Sequence, residues 1–139
     1  FVDATQGDEI MTLELKYLVL VTVQTALLWV PYILNRIAVR GLVDAVGYPE
    51  NPKPQARWAQ RLQAAHANAV ENLVVFAALV LVADAIGLSN DATVLACCVY
   101  FWARLAYAVV YALGIPWLRT LTFAAGFACQ ATLAWQLLA

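Results

Sequence analysis

The sequence predicts an all-α integral membrane protein, folded as a bundle of four transmembrane helices. Hydrophobic residues make up 64% of the 139 residues and charged residues only 12%. A water-soluble globule needs more polar surface than this composition supplies. Four apolar segments are long enough to cross about 30 Å of hydrocarbon at roughly 1.5 Å rise per residue. They cover residues 15–38, 60–86, 92–113 and 116–138.

Three connections separate these predicted helices. The first, residues 41–57, carries three prolines and two glycines, which predicts an extended loop. The second, residues 87–91, is short, and Ser89 or Asn90 is expected to cap the third helix. The third is a tight turn that places Pro116 in the first turn of the fourth helix. Tight turns favour antiparallel neighbours.

The basic residues predict the orientation in the membrane. Five of them surround the first connection, namely Arg36, Arg40, Lys53, Arg57 and Arg61. Arg119 flanks the third connection, and the second carries none. Because Lys and Arg concentrate in cytoplasmic loops, connections one and three are expected in the cytoplasm and both termini on the opposite side. Lys16 is a lone counter-signal. The charge segregation indicates membrane topology and not nucleic-acid binding.

The first ten residues, FVDATQGDEI, precede the single methionine, Met11. Residues 1–10 are interpreted as an N-terminal extension or a cloning remnant, and residues 11–139 as the four-helix membrane domain. The alternative is a cleavable signal peptide within residues 1–34. That alternative is disfavoured because the apolar run is too long and lacks a small-residue cleavage site.

The positions of the cysteine and histidine residues do not predict a metal site. Cys97, Cys98 and Cys129 lie inside predicted spans, where cysteine is usually a small packing residue. His66 is the only histidine, which excludes a multi-histidine metal site within one chain. A packing or hydrogen-bonding role is expected for it. The sequence also contains no phosphate loop, nucleophile elbow or dinucleotide fingerprint.

Polar residues recur at helical spacing on the second and third predicted helices. On the second helix they lie at i, i+3 and i+4: Asn68, Glu71 and Asn72. On the third they lie at i, i+4, i+7 and i+11: Tyr100, Arg104, Tyr107 and Tyr111. These stripes predict a shared polar seam. Charges inside a membrane need partners, so Glu71 and Arg104 are expected to form a structural ion pair.

Arg119 stands at the start of the fourth helix with no acidic residue nearby in sequence. A cation there suits a carboxylate, or it favours the thiolate form of a thiol, which is the nucleophile. The alternative is an arginine that snorkels to lipid headgroups. Arg36 and Arg40, at the end of the first helix, have the same two alternatives.

Three segments carry a resemblance to a known family: RLQAAHANAVENLVVFAALVLVA, ARLAYAVVYALGIPWLRTLTF and LELKYLVLVTVQTALLWVPYILNRIAVRG. They resemble the bacterial branch of the MAPEG superfamily, the membrane-associated proteins in eicosanoid and glutathione metabolism. The resemblance covers residues 11–138. It implies a homotrimer of four-helix subunits in the bacterial inner membrane, with glutathione held between neighbouring subunits and open toward the cytoplasm.

The resemblance also implies roles for individual residues. Asn68 and Glu71 match the residues that hold the glutathione backbone and amino group, and Tyr111 matches a tyrosine that contacts the peptide. Arg40 matches an arginine at the site. Arg119 matches the residue proposed to activate the thiol, which makes it the predicted catalytic residue.

The chain departs from the family pattern on the second helix. Catalytic members carry one or two arginines where this chain has Ala64 and Ala67, so two anchors for glutathione carboxylates are missing. Arg57 or Arg61 is the alternative anchor from the neighbouring turn, although both lie elsewhere around the helix. Phe123 stands where some members present a tyrosine.

Two functions follow from these observations. The first is a membrane glutathione-dependent transferase or peroxidase that acts on lipophilic electrophiles or lipid hydroperoxides. The alternative is a noncatalytic protein that binds membrane lipid or serves as an accessory subunit of a larger membrane complex.

Overall fold

A computed structural model describes residues 11–139, and every regular element in that range is helical. In chain order the helices are α1 (Leu13–Leu27), α2 (Trp29–Arg40), α3 (Leu42–Val46), α4 (Arg57–Ala85), α5 (Asp91–Leu113) and α6 (Pro116–Leu138). Four segments are long and apolar enough to cross a membrane: α1 with α2, α4, α5 and α6. The predicted four-helix membrane bundle is confirmed. The interpretation of residues 1–10 as an extension lies outside the described residues.

The first span is broken at Leu28, whereas the sequence predicted one continuous helix. α1 ends at Leu27, and the Leu28 N–H donates at 3.3 Å to the carbonyl of Thr25, which is three residues earlier in place of the usual four. Pro31 explains the break because it has no N–H to donate to Leu27 and its ring crowds the preceding turn. The span therefore consists of two helices in series.

Local chemistry sets both ends of α5. At its start, Asn90 and Thr93 form a capping box, in which each side chain accepts a hydrogen bond from the other's backbone N–H. At its end, Gly114 adopts a left-handed conformation with φ of 77°, and the Ile115 N–H reaches back to the Val110 carbonyl. Asn90 is thus the cap, and the predicted turn before α6 is confirmed.

An aromatic pair lies at the centre of the bundle. The rings of Phe76 and Tyr100 stack with centroids 4.0 Å apart and planes 6° apart. Buried residues of all four spans surround this pair: Val21, Val80, Ala96, Cys97, Cys129 and Leu133. Cys97 and Cys129 are free thiols inside this core, as expected of packing residues, while Cys98 is half-buried.

The helices alternate in direction, so the connections gather at two ends. At one end, Arg61 near the start of α4 donates to the carbonyl of Ala112 near the end of α5. At the other end, Asn90 before α5 donates to Gln136 of α6 at 2.9 Å. The first and third connections therefore share one end of the bundle. The side of the membrane that this end faces stays a prediction.

Candidate functional site

The interior of the bundle contains a polar seam between α4 and α5. Arg104 is buried, and its Nη2 donates to Asn68 Oδ1 at 2.6 Å. Its guanidinium carbon also lies 4.3 Å from the centroid of the Tyr107 ring. Asn72 Nδ2 donates to the Asn68 carbonyl at 2.9 Å, and Gln130 of α6 donates to the Asn72 carbonyl at 3.3 Å. The arginine is therefore solvated by neutral groups and an aromatic face.

The predicted ion pair between Glu71 and Arg104 does not form within this chain. Glu71 is exposed on the bundle surface, and Arg104 bonds Asn68 instead. The reason is helical geometry, because three residues along an α-helix turn a side chain by about 60° from its starting direction. With Asn68 facing α5, Glu71 is turned toward the outside.

A polar cavity of about 340 Å³ lies beside the start of α6. Its lining residues are Tyr107, Tyr111, Arg119, Thr120 and Phe123. The Arg119 guanidinium carbon lies 4.9 Å from the centroid of the Tyr111 ring, a distance typical of a cation–π contact. The structure thus brings Tyr111 and Arg119 together. We call this the tyrosine cavity.

A second, smaller cavity of about 200 Å³ adjoins the first. Its lining residues are Arg61, Tyr111, Gly114, Ile115, Pro116 and Arg119. We call this the arginine cavity, because Arg61 of α4 and Arg119 of α6 both line it. Arg61, one of the two residues considered as a replacement anchor on the second predicted helix, thus lies at this cavity.

A sequence signal for this role of Arg61 did exist, but it was not specific. A helix that ends in glycine leaves carbonyl groups open, and arginine side chains favour such helix ends. Arg61 Nε donates to the Ala112 carbonyl at 2.9 Å for this reason. The sequence offers several arginines, and only the packing of α4 against α5 selects this one.

The other predicted binding residues lie apart from both cavities. Arg40 Nε donates to the Lys53 carbonyl at 2.8 Å in the first connection. Asn68 belongs to the polar seam, and Glu71 lies on the outer surface. Ala64 and Ala67 are exposed on α4 and add no polar group. Among the predicted binding and catalytic residues, only Tyr111 and Arg119 lie together within a single chain.

His66 has a hydrogen-bonding role. Its Nδ1 lies 2.9 Å from the hydroxyl of Tyr32, which joins α4 to α2. Within residues 11–139, no three side chains of the His, Cys, Asp and Glu types gather in a way that would hold a metal ion.

Gly114 leads to a first testable prediction. A Cβ at Gly114 would lie 3.1 Å from the Arg61 guanidinium carbon, whereas a Cβ at Gly87 would meet nothing within 4 Å. Both glycines have positive φ, of 77° and 71°. Gly87→Ala is expected to cost about 1 kcal/mol through backbone strain alone. Gly114→Ala is expected to cost about 2 kcal/mol because it also displaces Arg61.

Thermal unfolding of the two variants in the same detergent measures this difference. Gly87→Ala is the matched control, since the backbone strain is similar and the side-chain contact is absent. Equal losses in the two variants would contradict a close contact between Gly114 and Arg61.

The fold and these cavities define a class of protein: a helical integral membrane protein with tyrosine and arginine side chains in cavities at one end. The profile of the MAPEG family matches residues 18–139, which is most of the chain. The chain belongs to the MAPEG family, so the predicted family membership is confirmed. No curated protein matches the chain.

Proposed function

We propose that this protein is a membrane glutathione-dependent transferase or peroxidase acting on lipophilic electrophiles or lipid hydroperoxides. One observation carries the proposal: Arg119 lies over Tyr111 in a polar cavity, and none of that cavity's lining residues is acidic. A guanidinium without an acidic neighbour favours a bound anion. A thiolate is such an anion and is also the reactive form of a thiol.

In this proposal Arg119 and Tyr111 have different roles. Arg119 stabilises negative charge in the tyrosine cavity, and the ring of Tyr111 fixes the direction of the guanidinium. Glutathione bound there would supply the thiol that both reaction types require. At about 340 Å³ the cavity is at the small end of ligand pockets, so it fits part of a tripeptide. Apolar second substrates partition into the surrounding bilayer.

A homotrimer is part of the proposal. Glu71 lies 14 residues past the start of α4, which is about 21 Å along the helix, and its side chain is exposed. A charge exposed to hydrocarbon costs about 2.5 kcal/mol or more. A neighbouring subunit against this face would remove that cost and would bring Glu71 near another chain's cavity. The small side chains of Ala64 and Ala67 permit such close packing.

The proposed location follows from charge. The cavities lie at the end of the bundle that holds the first and third connections. Most of the basic residues lie in or beside these connections, which supports a cytoplasmic opening in a bacterial inner membrane.

Glutathione binding by the purified protein in nanodiscs tests the proposal, with ultraviolet absorbance reporting thiolate. We expect saturable binding and a thiolate signal for the wild-type protein. Arg119→Ala is expected to lose the thiolate signal. Arg57→Ala is the matched control, since Arg57 is exposed at the same end of the bundle and lines neither cavity. Absence of saturable binding by an intact oligomer would refute the proposal.

A noncatalytic lipid-binding or accessory role is the second candidate. It is favoured by Ala64 and Ala67, which put no cation at the two positions where catalytic members carry arginine. It is also favoured by a groove of about 370 Å³ between α5 and α6 whose lining is apolar except for Thr132. This candidate predicts no glutathione binding, and it predicts lipid that copurifies in a fixed ratio to the protein.

A further inference from the structure

The arginine cavity is lined by two cations, and none of its lining residues is acidic. Arg61 of α4 and Arg119 of α6 both line it, and none of the other lining residues carries a charge. Like charges that share a cavity repel one another. An anion between the two guanidinium groups would remove this cost. The two positive charges therefore make this cavity suitable for binding an anionic group.

Arg61 is held in place at this cavity, unlike an arginine that snorkels freely into water. Its Nε donates to the Ala112 carbonyl at 2.9 Å. Its guanidinium also packs on Gly114, so closely that a Cβ there would lie 3.1 Å from the guanidinium carbon. When a long side chain is already fixed before the ligand binds, the entropy cost of binding is lower. Arg61 is thus preorganised.

The terminal nitrogens of Arg61 remain available for a ligand. A guanidinium has five N–H donors, and the bond to Ala112 uses only the one at Nε. Among the described residues, neither Nη atom of Arg61 donates to an acceptor. Two parallel N–H groups match the two oxygens of a carboxylate.

The two cavities adjoin, which relates this anion to the thiol. Tyr111 and Arg119 line both the tyrosine cavity and the arginine cavity. One ligand can therefore place a thiol in the first and a carboxylate in the second. The arginine cavity, at about 200 Å³, fits a carboxylate with its neighbouring atoms and not a whole peptide.

We propose that Arg61 and Arg119 form a carboxylate subsite in the arginine cavity, in which Arg61 anchors the terminal carboxylate of the thiol peptide. This inference rests on the proposed function. It gives the chain an anchor on α4 in spite of Ala64 and Ala67. It also makes Arg61 a specificity-determining residue that selects peptides with a free carboxylate.

Dissociation constants for glutathione and for its glycyl ethyl ester test the subsite. We expect the wild-type protein to bind glutathione about tenfold more tightly than the ester, since the ester lacks the charge. Arg61→Gln is expected to weaken glutathione binding about tenfold and to leave binding of the ester nearly unchanged. The glutamine keeps an amide donor for Ala112, so helix capping is largely retained. Arg57→Gln is the matched control and should discriminate like the wild type.

The outcomes separate this inference from the proposed function. If Arg61→Gln and the wild type prefer glutathione over the ester equally, Arg61 only caps α5 and the subsite is refuted. If the wild type binds neither peptide, the proposed function fails. A titration with acetate then tests whether the subsite binds a carboxylate. A saturable response of the intrinsic tryptophan fluorescence to acetate, at ionic strength matched with chloride and lost in Arg61→Gln, would support it. No such response would overturn it.

Discussion

Arg119→Ala is expected to lower kcat/KM for glutathione conjugation by about 10²- to 10³-fold, the loss typical of removing one preorganised group that stabilises developing charge. The structure places this cation 4.9 Å from the centre of the Tyr111 ring. Without it, the tyrosine cavity contains no cation among its lining residues. The thiol would then stay protonated at neutral pH, and the protonated form is a poor nucleophile.

The variant Arg119→Lys tests whether a positive charge is sufficient for activity or whether the planar guanidinium is required. A lysine keeps the positive charge but loses the planar guanidinium that stacks on Tyr111 and binds anions through two donors. We expect a loss of about tenfold, between wild type and Arg119→Ala. Initial rates with chlorodinitrobenzene measure both variants, with Arg57→Ala as the control. Wild-type turnover in Arg119→Ala would exclude a catalytic role for this residue.

The fold followed from the sequence because membranes impose few solutions. Backbone groups in hydrocarbon must bond internally, so four long apolar segments predict four helices. The break at Leu28 was missed although Pro31 is visible in the sequence. The hydropathy of an apolar run predicts that it spans the membrane, but it does not predict where the helix breaks. Proline in a membrane helix is also often tolerated without a full break.

The candidate site was predictable only in part, because side-chain direction depends on the packing of neighbouring helices. Tyr111 and Arg119 flank one short turn, so their proximity followed from sequence distance. Arg61 lies 51 residues from its partner Ala112. Helical spacing placed Asn68 and Glu71 on one broad face, yet the contact with Arg104 went to Asn68. A broad face does not decide between residues about 60° apart.

The second large effect concerns the polar seam. Asn68→Leu is expected to lower the free energy of unfolding by about 2–3 kcal/mol, since it removes the acceptor 2.6 Å from the buried Arg104 guanidinium. Hydrogen bonds between neutral groups in membrane bundles contribute only about 0.6 kcal/mol on average. The larger value is expected because the group left unpaired is charged and surrounded by hydrocarbon and protein. Reversible unfolding in mixed micelles measures the loss.

A second substitution identifies the cause. Arg104→Met removes the charge and fills similar space beside Gly126, where a Cβ would lie 3.4 Å from Arg104 Cδ. By itself it should cost less than Asn68→Leu, since Asn68 Oδ1 still accepts from Asn72 at 3.2 Å. Combined with Asn68→Leu it should recover most of the lost stability, because a seam without a charge needs no acceptor. Asn72→Leu, which removes a neutral donor, is the control and should cost about 0.6 kcal/mol.

The sign of the coupling decides what neutralises Arg104. A recovery of about 2 kcal/mol in the double variant means that Asn68 is the main group that solvates this cation. Additive losses mean that Arg104 keeps another partner when Asn68 is gone. Within residues 11–139 of one chain no carboxylate pairs with Arg104, and Glu71 of the same helix as Asn68 faces outward. Additivity would therefore mean that Arg104 relies on a partner other than Asn68, such as the Tyr107 ring 4.3 Å from its guanidinium carbon.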